Sequence, residues 1–134
     1  MNLVVPAASS AFAAALALLG CALTVRVIMN RVRTNVQAGD GGDARLGQAV
    51  RAHANFAEQT PLALLVLVLA EALGAPALAI YVLGSVLVVA RLVSAWGLSR
   101  SLGATPQRQA GAGLTVLTVV VTSLFVLYRV FIVH

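Results

Sequence analysis

Charge is scarce in this sequence: only 10% of its 134 residues are charged, whereas 60% are hydrophobic. A soluble domain of ordinary composition has about 25% charged residues, because it must cover its surface with groups that water solvates. The shortage of charge therefore excludes an ordinary soluble domain and indicates that lipid surrounds much of the chain. At about 20 residues for each spanning helix, this length accommodates four spans in a single domain.

Lysine is absent, and cysteine occurs only once, at Cys21. A single cysteine excludes an intrachain disulfide, and no spacing typical of a metal site is present, so no metal is expected. Cys21 lies within the first apolar segment, where we interpret it as a small packing residue. The basic residues are all arginines, and they lie beside the apolar segments. The positive-inside rule explains this placement, and nucleic-acid binding is not expected.

The apolar segments predict an all-α fold, a single integral-membrane four-helix bundle that occupies residues 1–134. The predicted helices span residues 7–29, 44–73, 76–98 and 110–133. All but one of the arginines lie in or beside the first and third connections, and the short second connection, Gly74-Ala75-Pro76, has none. This asymmetry predicts that those two connections face the cytoplasm and that both termini lie on the outer side.

The first connection, residues 34–44, contains Gly39-Asp40-Gly41-Gly42, a run that favours tight turns because glycine tolerates positive φ. Asp43 follows and is predicted to cap the second helix. A phosphate-binding loop is not indicated, since no strand precedes these glycines and no lysine follows them. The third connection is expected to run from Ser99 to Gln109. Glu71, near the outer end of the second helix, is expected to reach the outer lipid headgroups.

A polar stripe interrupts the second helix. Arg51, Asn55 and Glu58 are spaced i, i+4 and i+7, so they occupy one helical face within an arc of about 60°. An ionisable side chain at the centre of a membrane helix costs about 2.5–3.5 kcal/mol, so this polar stripe must face protein, water or a ligand. Arg91 in the third helix is expected at a similar depth. Glu58 is expected to pair with Arg51 or with Arg91, which would neutralise buried charge.

Two interpretations of these residues remain open: they form an interhelical contact that fixes helix register, or they line a binding site. An arginine-rich site that opens to the cytoplasm favours an anionic, carboxylate-bearing ligand, because a guanidinium donates to a carboxylate in bidentate fashion. Glu58 would then accept from a ligand ammonium. His53 lies off the stripe by about a fifth to a half turn, and it is either an ordinary polar residue near the interface or a base.

The run Arg51-Ala-His-Ala-Asn-Phe-Ala-Glu-Gln-Thr-Pro61 resembles the signature of the MAPEG family, the membrane-associated proteins in eicosanoid and glutathione metabolism. Ala90-Arg91-Leu92 resembles the family's second arginine element, and Pro106-Gln107-Arg108 resembles its third. The resemblance covers essentially the whole chain in length and helix layout. The Gly39–Gly42 loop is similar to that of the small bacterial inner-membrane branch of the family.

The resemblance implies a homotrimer in the bacterial inner membrane, with glutathione as co-substrate between subunits near the cytoplasmic face. It implies transferase or peroxidase-type activity on a small lipophilic electrophile. The ligand contacts implied in this sequence are Arg51, His53, Asn55, Glu58 and Arg91, and the contact of Arg91 would be either to a ligand carboxylate or structural. Arg108 is the implied catalytic residue, because a guanidinium beside a thiol lowers the pKa of that thiol.

Three positions depart from the characterised catalytic members of the family. Leu98 stands where those members carry a tyrosine, Gln59 stands where some have tyrosine, and Ser94 stands where some have histidine. These departures favour an alternative function, that of a ligand-binding or structural membrane protein that keeps the fold without turnover. A small multidrug-type exporter also has four short spans, but the carboxylate that it requires is missing from the first span.

Overall fold

The computed structural model describes residues 5–132. Within them the chain forms four α-helices: α1 Ala7–Thr34, α2 Ala44–Ala72, α3 Ala77–Arg100 and α4 Pro106–Phe131. No strand occurs in this part of the chain, so the predicted all-α four-helix fold is confirmed. The predicted end of the fourth helix, Val133, lies outside the described residues.

Three of the helices, α1, α3 and α4, are long and apolar enough to cross a membrane. Their surfaces carry exposed aliphatic side chains such as Leu18, Val89 and Leu124, which suit lipid better than water. α2 has a similar length, 29 residues, but its first half carries the polar stripe. The molecule is a multi-pass membrane protein, and the sidedness of its termini stays a prediction.

α1 continues to Thr34 and does not end at residue 29 as predicted. Its last turn holds Arg31 and Arg33, whose positive charges are favourable at the negative end of the helix dipole. Asn35 then ends the helix in the left-handed conformation, with φ of 54°. The prediction ended too early because the hydrophobic run stops before the helix does.

α4 begins at Pro106 and not at residue 110, so the expected loop of residues 99–109 contracts to residues 101–105. Thr105 is the N-cap, and its side-chain oxygen accepts a hydrogen bond from the backbone N–H of Arg108 at 3.3 Å. Proline in the first turn strengthens this start, because it lacks an N–H that would be unpaired there. The Thr-Pro start therefore places Arg108 in the first turn of α4.

α2 begins as predicted, at Ala44, with Asp43 as its N-cap. The Asp43 carboxylate accepts from the backbone N–H of Leu46 at 2.8 Å and forms an ion pair with Arg33 at 2.7 Å. The hydrogen bond from Leu46, followed by the one from Arg33, holds the pKa of the Asp43 carboxyl below its ordinary value. Arg33 thereby ties the end of α1 to the start of α2.

α2 and α3 form the middle of the bundle: α1 packs against both, α4 packs against both, and within residues 5–132 α1 and α4 do not pack together. Two glycines lie at close approaches between helices. A Cβ on Gly84 of α3 would collide with the ring of Phe12 in α1, and a Cβ on Gly111 of α4 would lie 2.7 Å from the Ala90 carbonyl oxygen in α3. Small residues therefore set these helix separations, as is common in membrane bundles.

The expectation that Glu71 reaches the outer headgroups is wrong. Glu71 turns inward, is only 8% exposed, and accepts hydrogen bonds from the backbone N–H groups of Ala8 and Ser9 at 2.9 and 2.7 Å. The first turn of a helix leaves N–H groups without partners, and the helix dipole favours a negative charge there. Pro6, which precedes α1, supplies no side-chain cap, so a carboxylate from α2 takes that role.

Candidate functional site

The polar stripe of α2 divides into an exposed pair and a buried residue. Arg51 and Glu58 are exposed and form an ion pair with 3.4 Å between Nη1 and Oε1. Asn55 lies between them in the sequence but is buried, and its Oδ1 accepts from Nη1 of Arg91 in α3 at 3.3 Å. Of the two partners expected for Glu58, the structure therefore pairs it with Arg51.

Arg91 joins three helices from a position that is only 1% exposed. Besides Asn55 of α2, its guanidinium donates to Ser94 Oγ on α3 and to the Gly111 carbonyl of α4, both at 3.1 Å. We call Arg91, Asn55, Ser94 and Gly111 the Arg91 cluster. A guanidinium shared by acceptors on three helices fixes their relative positions, because moving any one helix leaves a buried polar group unpaired.

A cavity of about 550 Å³ lies where α2 begins and where α3 connects to α4. Its lining residues are Gly39, Asp40, Gly47, Val50, Arg51, Ala54, Leu102 and Arg108, and we call it the loop cavity. Small-molecule sites typically measure about 300–1,000 Å³, so the loop cavity has the size of a ligand site. It brings together two of the predicted site residues, Arg51 from α2 and Arg108 from α4.

Arg108 reaches the loop cavity from the first turn of α4. Its Nη1 donates to the Leu102 carbonyl at 3.3 Å, and its backbone N–H donates to Thr105 Oγ1. Both acceptors are uncharged, so these bonds orient the residue without neutralising it. Within residues 5–132, no carboxylate lies within 4.0 Å of the Arg108 guanidinium. The Arg108 guanidinium is therefore available to an anion in the loop cavity.

A second cavity, of about 210 Å³, lies between α2 and α4, and we call it the α2–α4 groove. Its lining is mostly apolar, and the residues that line it are Glu58, Gln59, Leu62, Thr115, Val116, Val119 and Val120. Arg51 lines the loop cavity, whereas Glu58 lines this groove. The Arg51–Glu58 ion pair therefore connects the two cavities.

The first connection forms one wall of the loop cavity and is held in place from α1. Nη1 of Arg31 donates to the carbonyls of Val36 and Gly39, each at 3.2 Å. Gly39, Gly41 and Gly42 have φ values of 65°, 57° and 79°, a region that glycine adopts at little cost. The Gly-Asp-Gly-Gly run thus makes the turn that brings Gly39 and Asp40 to the cavity.

Polar contacts also hold the end of α3 against its neighbours. Arg26 of α1 donates to Ser99 Oγ, and Nε2 of Gln48 in α2 donates to the Arg100 carbonyl at 3.3 Å. The Arg100 guanidinium lies 4.4 Å from the centroid of the Trp96 ring, which is a cation–π contact. The sequence pattern gave no sign of these contacts, because each depends on how the helices pack.

The other predicted ligand contacts lie apart from both cavities, except for Glu58. Asn55 and Arg91 are hydrogen-bonded to each other in the Arg91 cluster, and neither lines the loop cavity or the α2–α4 groove. His53 is half-buried on α2 and lines neither cavity. The structure therefore joins Arg51 and Arg108 in one place and separates them from the rest of the predicted set.

Two positions outside that set also bear on the site. Leu98, where a tyrosine was expected by resemblance, is completely buried in a cluster with Leu23 and Ala52. Asp40 lines the loop cavity but was not among the predicted site residues. The only sequence signal for Asp40 was its place between glycines in a turn, and that signal says nothing about what lies opposite the turn.

Comparison with known proteins gives two findings. The sequence model described as "MAPEG family" matches residues 9–128. The chain is also similar to the "Inner membrane protein YecN" of Escherichia coli (strain K12), with 32% identity over 94 residues, which cover 70% of this chain and 72% of that protein. The protein of the same name from Escherichia coli O6:H1 (strain CFT073) matches with the same identity and coverage.

Proposed function

The chain belongs to the MAPEG family, and from that premise we propose that it binds glutathione and uses the thiol in transferase or peroxidase-type chemistry on a lipophilic electrophile. The observation that carries the proposal is the meeting of Arg51 and Arg108 in the loop cavity. These residues come from different helices and from two of the three sequence elements that resemble the family. The name of the relatives supports a place in the bacterial inner membrane.

The chemistry of glutathione fits the loop cavity. The tripeptide carries two carboxylates, one ammonium and a thiol, and its anionic groups outnumber its cationic one. Arg51 and Arg108 supply two guanidinium groups, which are the donors best matched to carboxylates and thiolates in a partly desolvated site. Among the described residues, the one side-chain partner of Arg51 is Glu58, and their ion pair is exposed, so a ligand carboxylate competes for Arg51 at small cost.

Arg108 is the residue we assign to thiol activation. A guanidinium next to the sulfur favours the thiolate, and each unit by which the thiol pKa falls corresponds to about 1.36 kcal/mol. In conjugation, the thiol proton goes to solvent, the sulfur bonds to the electrophilic carbon, and the leaving group departs with its bonding electrons. In peroxidase-type chemistry, two thiols are oxidised to a disulfide while a hydroperoxide is reduced to an alcohol and water.

The lipophilic partner fits the α2–α4 groove. Its aliphatic lining suits an apolar molecule that arrives from the bilayer, and the Arg51–Glu58 pair places it next to the loop cavity. Arg51 and Glu58 keep 44% and 55% of their side-chain surface exposed in one subunit. Charged groups do not face lipid at low cost, so this exposure supports contact with a neighbouring subunit that covers the stripe. The family resemblance implies that this assembly is a homotrimer.

An alternative function, ligand binding or a structural role without turnover, is favoured by two specific observations. Leucine at position 98 has no hydroxyl group, whereas catalytic members carry a tyrosine there, and its side chain is completely buried in an apolar cluster. Arg91, another implied ligand contact, is engaged with Asn55, Ser94 and Gly111. On this alternative, glutathione or a related anion binds in the loop cavity and leaves unchanged.

Calorimetric titration of the detergent-purified protein with glutathione tests the proposal. We expect saturable binding by the wild type and binding that is about tenfold weaker in Arg51→Ala, a change that corresponds to about 1.4 kcal/mol. Arg45→Ala is the matched control, because Arg45 is an exposed arginine of the same helix and lines neither cavity. The proposal fails if the wild type does not bind at millimolar glutathione.

An activity assay with an electrophilic aryl chloride distinguishes transferase activity from the alternative function without turnover. For a transferase we expect the wild type to release chloride and Arg108→Gln to release none. In that variant the thiolate absorbance of bound glutathione should appear only at higher pH, because the guanidinium that favours the thiolate is missing. Glutathione binding without chloride release, on this substrate and on an organic hydroperoxide, would instead support the alternative function.

A further inference from the structure

We propose that Asp40 is the residue that recognises a ligand ammonium in the loop cavity, in place of Glu58; this inference rests on the function proposed above for that cavity. The ligand class is a peptide or amino acid in which a free ammonium accompanies more than one anionic group. The spacing of the polar stripe predicted that Glu58 would contact the ligand ammonium. The carboxylates of Asp40 and Glu58 differ in the cavity that they line and in the groups that they already contact.

The positions of the two carboxylates favour Asp40 over Glu58 as the residue that contacts the ligand ammonium. Within the described residues, Asp40 is the only carboxylate that lines the loop cavity with Arg51 and Arg108. Glu58 lines the α2–α4 groove, which is mostly apolar, and its carboxylate is engaged with Arg51 at 3.4 Å. An ammonium placed beside Glu58 would lie next to the aliphatic wall of that groove, whereas one placed beside Asp40 stays in the cavity that holds both guanidinium groups.

The Asp40 carboxylate is held in a defined position but is not neutralised. Its Oδ1 accepts from the backbone N–H of Gly42 at 3.0 Å, and its carbonyl accepts from the N–H of Asp43 at 2.9 Å. Its Oδ2 lies 3.1 Å from the point that a Cβ on Gly47 would occupy, so the absence of a side chain at Gly47 makes room for it. Within residues 5–132, Asp40 has no cationic partner within 4.0 Å.

The charges around the loop cavity complement such a ligand. The cavity wall presents two cations and one anion, and the ligand presents anionic groups in excess of a single ammonium. Asp40 is exposed in the subunit, so its carboxylate reaches an ammonium from water without first losing a partner. A free carboxylate that is already oriented gains a charge-assisted hydrogen bond at a small cost in side-chain entropy.

A comparison of two ligands with three proteins tests the proposal. The ligands are glutathione and glutaryl-cysteinylglycine, which is glutathione with its ammonium replaced by hydrogen. The proteins are the wild type, Asp40→Asn and Glu58→Gln, and the measurement is the dissociation constant by calorimetry. Asn at position 40 keeps an oxygen that accepts from the Gly42 N–H, so the turn is preserved, and far-ultraviolet circular dichroism with the unfolding midpoint checks each variant.

We expect the wild type to prefer glutathione over the ammonium-free ligand by about fivefold, which is the upper range for an exposed ion pair. Asp40→Asn should lose that preference by weakening only the binding of glutathione, and Glu58→Gln should keep it. A preference that disappears in Glu58→Gln and survives in Asp40→Asn would overturn the assignment to Asp40.

The remaining outcomes separate this inference from the proposed function. If the wild type binds both ligands equally well, the ammonium is not recognised and the inference is overturned, while glutathione binding in the loop cavity stands. If the wild type binds neither ligand, the proposed function and the inference fail together.

Discussion

Arg91 and Arg51 appear in the sequence as members of one polar layer, yet their surroundings are opposite. Arg91 is 1% exposed and donates to acceptors on three helices, whereas Arg51 is exposed and, within residues 5–132, makes a single ion pair of 3.4 Å. A guanidinium whose donors are used inside the protein stabilises the bundle and has little left to offer a ligand. A guanidinium with unused donors at a cavity contributes little to stability and is available for binding.

The largest contrast is expected between Arg91→Met and Arg51→Met. Methionine keeps an apolar stem at position 91 but leaves Asn55 Oδ1 and the Gly111 carbonyl without their donor, so we expect a loss of about 3 kcal/mol in the free energy of unfolding. Arg51→Met should change that free energy by less than about 0.5 kcal/mol. Denaturant unfolding in detergent, followed by Trp96 fluorescence, measures both, and equal losses would contradict the contrast.

Two glycines of α4 give a smaller and cleaner comparison. A Cβ on Gly111 would meet Ser94 and the Ala90 carbonyl, so Gly111→Ala should push α4 away from α3 and lower the free energy of unfolding by about 1–3 kcal/mol. Gly113 has nothing within 4 Å of its Cβ position, and Gly113→Ala should raise helix stability by up to about 1 kcal/mol. Melting in detergent should move the two midpoints in opposite directions, and a parallel shift would disprove this packing account.

The carboxylate of Glu71 extends the comparison to the other end of the bundle. Glu71→Ala should cost about 1–2 kcal/mol, because the N–H groups of Ala8 and Ser9 lose their cap. Glu71→Gln should cost less, since its amide oxygen still accepts one bond. Faster hydrogen exchange at the Ala8 and Ser9 amides is the specific readout, and unchanged exchange in Glu71→Ala would show that the cap is unimportant.

The smallest effect concerns Asp43, a partly buried counterpart of Glu71 with the same capping role. Its pKa in the folded state lies below the ordinary value of 3.8, so its contribution to stability is complete above about pH 3.8 and is lost as the pH falls through the lower folded pKa. Asp43→Asn keeps a capping oxygen and removes this titration. The variant should show a flatter dependence of the melting midpoint on acid pH than the wild type, and identical profiles would contradict the assignment.

The fold was predictable from the sequence because membrane-spanning helices appear in a sequence as long apolar runs. The predicted start of α2 was correct, since Asp43 is a recognisable cap. The end of α1 was predicted too early in the sequence, and the start of α4 was predicted too late. Those errors arose where polar residues continue a helix: Arg31 and Arg33 favour the end of α1, and Thr105 with Pro106 begins α4. Hydropathy does not register such capping and dipole effects.

The site was predictable only in part. Helical spacing placed Arg51, Asn55 and Glu58 on one face. In the structure, however, Asn55 is buried in the bundle, whereas the other two are exposed. With 3.6 residues per turn, Asn55 lies only about 40° from Arg51 around the helix axis, and a difference of that size decides between a neighbouring helix and a cavity. Asp40 could not be assigned, because the position of a loop opposite α2 and α4 follows from tertiary packing.

The ion pair between Arg51 and Glu58 has a thermodynamic consequence for the two cavities that it connects. An anion that engages Arg51 withdraws the guanidinium from Glu58 and leaves a carboxylate without its counterion beside the aliphatic groove. An occupant of the groove that favours one state of Glu58 therefore changes the affinity for the anion, and linkage requires the reverse effect to be of equal size. With the proposed ligands bound, the shared guanidinium of Arg51 would couple the affinities of the two cavities.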